Sequence, residues 1–220
     1  MDNKLRTKAV LLATTIACIF FAIMPFSSSL LYPITLFVTY VHEMCHALAA
    51  IITGGHVYGI TISPDMSGTT TTSGGVGWLI SSAGYVGTVF IGLISIHLIR
   101  VHSGLAPVIL IAFVFIMAIA ILFTLGNSFF GTIWGCLIGI GLCVLLNIGP
   151  KFLIELVTTF ISIQLLLNAF YDLKTLFILS GTGVHTDALN MQNDTGIPAV
   201  VWASIWISIS VYATYKVLFR

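Results

Sequence analysis

Val41-His42-Glu43-Met44-Cys45-His46-Ala47 sets two histidines four residues apart, with a glutamate beside the first. On a helix, positions i and i+4 lie one turn apart on the same face, so both imidazoles can reach a single metal ion. Neutral imidazole suits zinc, and a glutamate next to the first ligand can take a proton from an attacking water and pass it to a leaving amine. Chance does not account for the pattern. Six histidines and two glutamates in 220 residues give roughly 0.0015 expected occurrences of this spacing. His, Glu and His within one apolar helix would also cost several kcal/mol unless paired or metal-bound.

Two imidazoles leave zinc one protein ligand short, so a third must come from a distant segment. Asp172 is the preferred candidate. The apolar stretch 152–179 runs in the same direction as 30–52, and Asp172 lies at a depth in it that matches His46 in its own stretch. Gln164, Asn168 and Asp172 form a polar stripe at i, i+4 and i+8, which should face the bundle interior. Asn168, one turn before Asp172, could orient the carboxylate or donate to a developing oxyanion. Asp187 is the alternative third ligand, since the polar stretch 180–196 lies on the same side and could fold back. Glu155 sits near the opposite face, and Asp65 belongs to turn chemistry. His56, His97, His102 and His185 have no partner at ligand spacing and read as interfacial or packing residues. His185, two residues before Asp187, is the first of these to test.

The elements that must hold these residues are membrane helices. Charged residues make up only 7% of the chain and apolar ones 58%, against roughly 25% charged in a soluble domain. The uncharged runs 9–41, 66–99, 101–150 and 195–215 each reach or exceed the roughly 20 residues that cross a bilayer core. Seven spans are read at about 9–26, 30–52, 76–99, 105–125, 128–148, 152–179 and 197–218. The fold expected is an all-α polytopic membrane protein of six to seven transmembrane helices. It forms a single integral membrane domain over 1–220, with a zinc-motif helix at about 30–52 and a third-ligand helix at about 152–179. The last of these is too long for a simple crossing and should end early, tilt or break. Eight basic residues, scattered along the chain, form no basic patch and exclude nucleic acid as a partner. The four cysteines read as small, buried, reduced packing residues.

Lys4, Arg6 and Lys8 precede the first run, which is longer than a signal-peptide core and has no clear cleavage site. It is read as a retained span, with the amino terminus on the cytoplasmic side. Residues 56–73 place β-branched runs on both sides of Ser63-Pro64-Asp65, a β-hairpin pattern. Its edge could pair with an extended substrate segment. In the stretch 180–196, Thr186 can cap a short helix that stops at Gly196. Ala83/Gly87 and Gly84/Thr88 give small-x-x-x-small spacing that lets another helix approach closely.

Beyond the histidine motif, Thr53-Gly54-Gly55, Ser63-Pro64-Asp65, Ser73-Gly74-Gly75, Ala83-Gly84-Tyr85-Val86-Gly87, Asn168 to Asp172, Thr186-Asp187-Ala188, Thr195-Gly196-Ile197-Pro198 and Trp202 follow in order. With these motifs the sequence resembles the site-2 protease family of intramembrane zinc metalloproteases, and within it the compact branch without a PDZ domain. The resemblance implies hydrolysis of a peptide bond within or beside the bilayer, with Zn2+ on His42 and His46 and Glu43 as base. The implied partners are the lipid bilayer and a membrane protein substrate with a transmembrane or membrane-proximal segment. One departure stands out. The better-known members carry their third ligand in an Asn-Pro-Asp-Gly-like motif, and this chain contains no Asp-Gly, so Asn168 to Asp172 is the nearest counterpart. That departure motivates the alternative of a catalytically inactive, protease-like membrane adaptor or helix-binding protein.

Overall fold

The structure is a computed structural model describing residues 3–23, 27–179 and 186–219, with side chains from 9 to 167 apart from 19, 22–28 and 103, and from 186 to 216. In chain order it forms α1 (Asn3–Ile23), the one-turn α2 (Ser27–Leu30), α3 (Tyr32–Ile52), β1 (His56–Ile62), β2 (Gly68–Ser73) and α4 (Gly77–Val101). There follow α5 (Ala106–Thr124), α6 (Phe129–Ile148), α7 (Lys151–Leu179), α8 (Asp187–Thr195) and α9 (Ala199–Phe219). Each of the seven apolar stretches falls on a helix. Pro33 and Pro107 sit in the first turns of α3 and α5, where a missing N–H costs nothing.

The zinc-motif helix α3 runs through the core. Leu36, Phe37, Tyr40 and Val41 are fully buried, packed with Phe113 and Met117 of α5 and Leu165 of α7. α5 and α6 form a helical hairpin around Gly126, which takes a left-handed φ of 77°. α7 runs unbroken for 29 residues. At 1.5 Å per residue it is about 43 Å long, more than the roughly 30 Å of a bilayer core, and it neither ends early nor breaks.

The surface suits lipid rather than water. On α6, Phe129, Ile133, Leu137, Ile140, Val144 and Ile148 lie between 43% and 84% exposed along one face, far more apolar surface than a soluble monomer tolerates. Among the described residues, four helices are long and apolar enough to cross a membrane: α3, α4, α5 and α6. The count rises to five if α8 and α9, bent by 118° at their junction, make one broken span. The expected count of six to seven is thus matched only in part. The cysteines match expectation only in part: all four are free, but only Cys18 is buried, Cys45 and Cys143 are half-buried, and Cys136 is exposed on α6, where lipid can cover an apolar thiol as well as protein can.

The β-hairpin appears where its composition places it. β1 pairs antiparallel with β2, with Ile60 opposite Thr70 and Ile62 opposite Gly68, and a bulge falls between Val57 and Gly59. Its turn is closed by Asp65, whose Oδ1 accepts from the Ser67 amide (3.1 Å) and hydroxyl (2.6 Å). These donors lower the Asp65 pKa below the usual carboxylate range. Ser128 joins the hairpin to the bundle. Its hydroxyl donates to the Ile62 carbonyl (2.8 Å) and also caps α6 by accepting from the Gly131 amide (3.0 Å). From the other side, Tyr32 donates to the Pro64 carbonyl (2.7 Å) and Thr39 to the Met66 carbonyl (2.8 Å). The hairpin is therefore clamped over α3 beside the histidine motif.

The stretch 180–196 resolves into α8 as its cap residues suggest. Thr186 Oγ1 accepts from the Leu189 amide (3.2 Å), and Gly196 ends the helix with φ 72°. Gln192 and Thr195 then fasten the corner to α9 by accepting from the Ala199 amide (2.9 Å) and the Trp202 indole (3.1 Å). α8 and α9 bury Ala188, Met191, Ala203 and Trp206 against Tyr85 of α4.

Candidate active site

His42 and His46 lie on one face of α3, with Nε2 atoms 3.0 Å apart. The carboxylate that reaches them belongs to Asp187, the first residue of α8. Its Oδ2 stands 3.3 Å from His42 Nε2 and 3.2 Å from His46 Nε2. His46 Nδ1 lies 2.6 Å from the Ile80 carbonyl oxygen. A carbonyl can only accept, so Nδ1 carries a proton and Nε2 is the atom turned into the triangle. There it faces the Asp187 oxygen. A proton on Nε2 or a metal ion between the atoms would satisfy that oxygen.

The dimensions suit a metal ion. Ligand atoms at 2.0–2.2 Å from a tetrahedral zinc stand about 3.3 Å from one another, close to the three separations found here. His42, His46 and Asp187 are also the group that could hold a metal among the described residues. The Ile80 carbonyl on one histidine and an edge-on ring beside the other fix both imidazoles. Tyr85 meets His42 at a ring-centroid distance of 4.7 Å and 82°, and itself stacks on Trp206 at 5.1 Å and 21°.

Glu43 is buried at 4% exposure next to this triangle. Thr70 of β2 donates to its Oε2 at 2.6 Å, so the hairpin fixes the carboxylate that the motif assigns as base. The approach depends on Gly68. A Cβ there would lie 2.5 Å from Glu43 Oε1 and 2.8 Å from Thr39 Cγ2. A Cβ at Gly84 of α4 would likewise overlap the Nε2 atoms of both histidines. Thus α4 crosses α3 directly at the two imidazoles, and only glycine fits. Around the site α3, β2, α4 and α8 enclose a cavity of about 640 Å³.

The sequence reading placed His42, Glu43 and His46 together, and the helix does bring them to one face. Asp187, its alternative third ligand, is the carboxylate found beside them. Asp172 and Asn168 lie on α7 beyond Leu167, where side chains are outside the described residues, as is His185. Gln164, first residue of the polar stripe, is buried as expected. Glu155 is buried within α7 and takes no part in the triangle. Thr70, Gly68 and the Ile80 carbonyl were not singled out. Alternation in Thr69 to Thr72 marks Thr70 as facing one side of the hairpin, but which helix it meets is a tertiary fact.

Residues 12–217 match the family described as Peptidase M50B-like, and the chain therefore belongs to it. This is the site-2 protease family, and no PDZ domain is evident. No curated protein and no solved structure matches the chain. The family and the several apolar helices together mark an integral membrane protein of the protease class.

Proposed function

We propose that the protein is an intramembrane zinc metalloendopeptidase that hydrolyses a peptide bond in or near a transmembrane segment of another membrane protein. The observation that carries this reading is the triangle of His42, His46 and Asp187 with Glu43 beside it, sunk in a helix of the bundle. On this reading Asp187 is the third ligand, α1 and α7 also cross the bilayer for a count of six to seven spans, and the amino terminus is cytoplasmic. The inactive-adaptor reading is not favoured, because a scaffold without chemistry has no need of a group able to hold a metal beside a buried, oriented carboxylate.

Zinc held by these three residues would supply Lewis-acid activation of a water molecule and of the scissile carbonyl. Glu43 accepts the proton released as the water oxygen attacks the carbonyl carbon. It then gives that proton to the amide nitrogen as the C–N bond breaks, leaving an amine and a carboxylic acid that keeps the second water proton until it passes to the amine or solvent. Thr70 holds Oε2 throughout and leaves the other oxygen to receive the proton. The polar cavity admits the water that hydrolysis consumes, which lipid would exclude.

Glu43→Gln tests the reading. Synthetic transmembrane peptides in bicelles, with products read by mass spectrometry, should be cut by the parent and cut about 10²- to 10⁴-fold more slowly by the variant, with zinc content unchanged. A Glu43→Gln protein that cuts as fast as the parent refutes the mechanism.

A further inference from the structure

The geometry points to Asp194 as a specificity-determining residue, and to a substrate segment carrying a lysine or arginine about three residues from the bond that is cut. This rests on the peptidase reading above and names the class of substrate for the same site.

Asp194 lies in the last turn of α8 and lines the same cavity as the histidines. Two independent rulers fix its distance from them. On α4, a Cβ at Gly77 would meet the Asp194 carboxylate, while one at Gly84 would meet both imidazoles. These positions are seven residues apart, so they share a helix face and stand about 10.5 Å apart along the axis. On α8, Asp187 and Asp194 are likewise seven apart, two turns along one face. Gly77 begins α4, so Asp194 marks the mouth of the cavity, and the triangle lies two turns deeper.

Charge singles the residue out. The formally charged residues among the described lining are Glu43, Asp187 and Asp194, and none is lysine or arginine. A divalent ion at the triangle offsets Asp187 and Glu43, which leaves Asp194 facing the amino-terminal end of α4 and no lysine or arginine in the cavity. Asp194 is exposed and makes no hydrogen bond or ion pair among the described residues. An extended peptide rises about 3.4 Å per residue, so 10 Å from the scissile bond is about three residues away. A membrane protein supplies a cation at that place readily. Lysine and arginine gather at the cytoplasmic flank of transmembrane helices, and the cytoplasmic amino terminus proposed above turns the carboxyl-terminal end of α3, with this mouth, towards the cytoplasm.

The test uses full-length, zinc-loaded Glu43→Gln in phosphatidylcholine bicelles. The probe is a fluorescent peptide with an apolar stretch of about 20 residues and a short Gly/Ser flank bearing one Lys, Gln or Glu. Exposed ion pairs change an equilibrium by up to about fivefold, so the Lys peptide should bind about two- to fivefold more tightly than the Gln peptide. Asp194→Asn should erase the preference, and Asp194→Lys should transfer it to the Glu peptide. Equal affinities, a preference that survives Asp194→Asn, or no measurable binding of the Lys peptide overturns the subsite. With the parent enzyme, moving the lysine one residue should move the cut by one. Asp194-dependent binding with no cutting would keep the subsite and remove the peptidase reading. Cutting that ignores the lysine would do the reverse.

Discussion

Gly84→Ala is a single methyl placed where two helices cross at the ligands. The new Cβ would overlap both Nε2 atoms and would lie 2.6 Å from His42 Cε1. An ordinary contact between such atoms is about 3.5 Å, so roughly 1 Å of separation is needed. If α4 moves away, the cost is that of an overpacked core, about 1–3 kcal/mol. If the rings move instead, a 1 Å displacement takes an imidazole from about 2.0–2.1 Å to about 3 Å from zinc, beyond coordination. The first route lowers stability and the second lowers zinc affinity, where a loss of about 1–3 kcal/mol reads as about 5- to 150-fold. Competition against a chromophoric chelator in detergent measures it. Gly141→Ala on α6 is the control. Nothing lies within 4 Å of its added Cβ, and a better helix former there should leave zinc affinity unchanged and raise stability by up to about 1 kcal/mol. Parent-like zinc affinity together with parent-like stability in Gly84→Ala would refute the close crossing of α4 on the imidazoles.

Two further outcomes follow from the hairpin. Thr70→Val removes a hydrogen bond to a buried carboxylate, worth about 1.5–3 kcal/mol, so kcat should fall about 10- to 100-fold with zinc content intact, and Thr70→Ser should restore most of it. Unchanged kcat in the valine variant would show that Glu43 needs no such partner. Ser128→Ala removes the α6 cap and the bond to the Ile62 carbonyl together, and should cost about 1–2 kcal/mol in thermal unfolding. Protease should then nick 56–73 sooner than in the parent, and equal nicking rates would argue that Ser128 does not anchor the hairpin.

Sequence reasoning reached the parts set by local chemistry. Apolar run length marks the helices, and the i, i+4 spacing puts His42 and His46 on one face. β-branched residues around Ser63-Pro64-Asp65 mark the hairpin, and Thr186 and Gly196 bound α8. Which carboxylate stands beside the histidines was harder to read. Matching depths favoured Asp172 because that argument compares helices crossing in parallel. Asp187 comes to the histidines by another route, on a short helix bent 118° from its successor, and no periodicity encodes such a corner. Gly84 was legible only as a small residue permitting close approach. That the approach is to the ligand atoms depends on how α3 and α4 cross. Thr70 was hidden in the same way, since strand alternation gives its side but not its partner.

X-ray absorption at the zinc edge, with metal counting, addresses the centre itself in purified parent, Asp187→Ala and Asp172→Ala. The account predicts one zinc per chain in the parent, with imidazole nitrogens at about 2.0–2.1 Å and carboxylate oxygen at about 2.0–2.2 Å. Asp187→Ala should lose the ion or that oxygen, while Asp172→Ala keeps the parent spectrum. A parent without stoichiometric metal, or an Asp187→Ala protein whose spectrum matches it while Asp172→Ala loses the ion, would contradict the assignment.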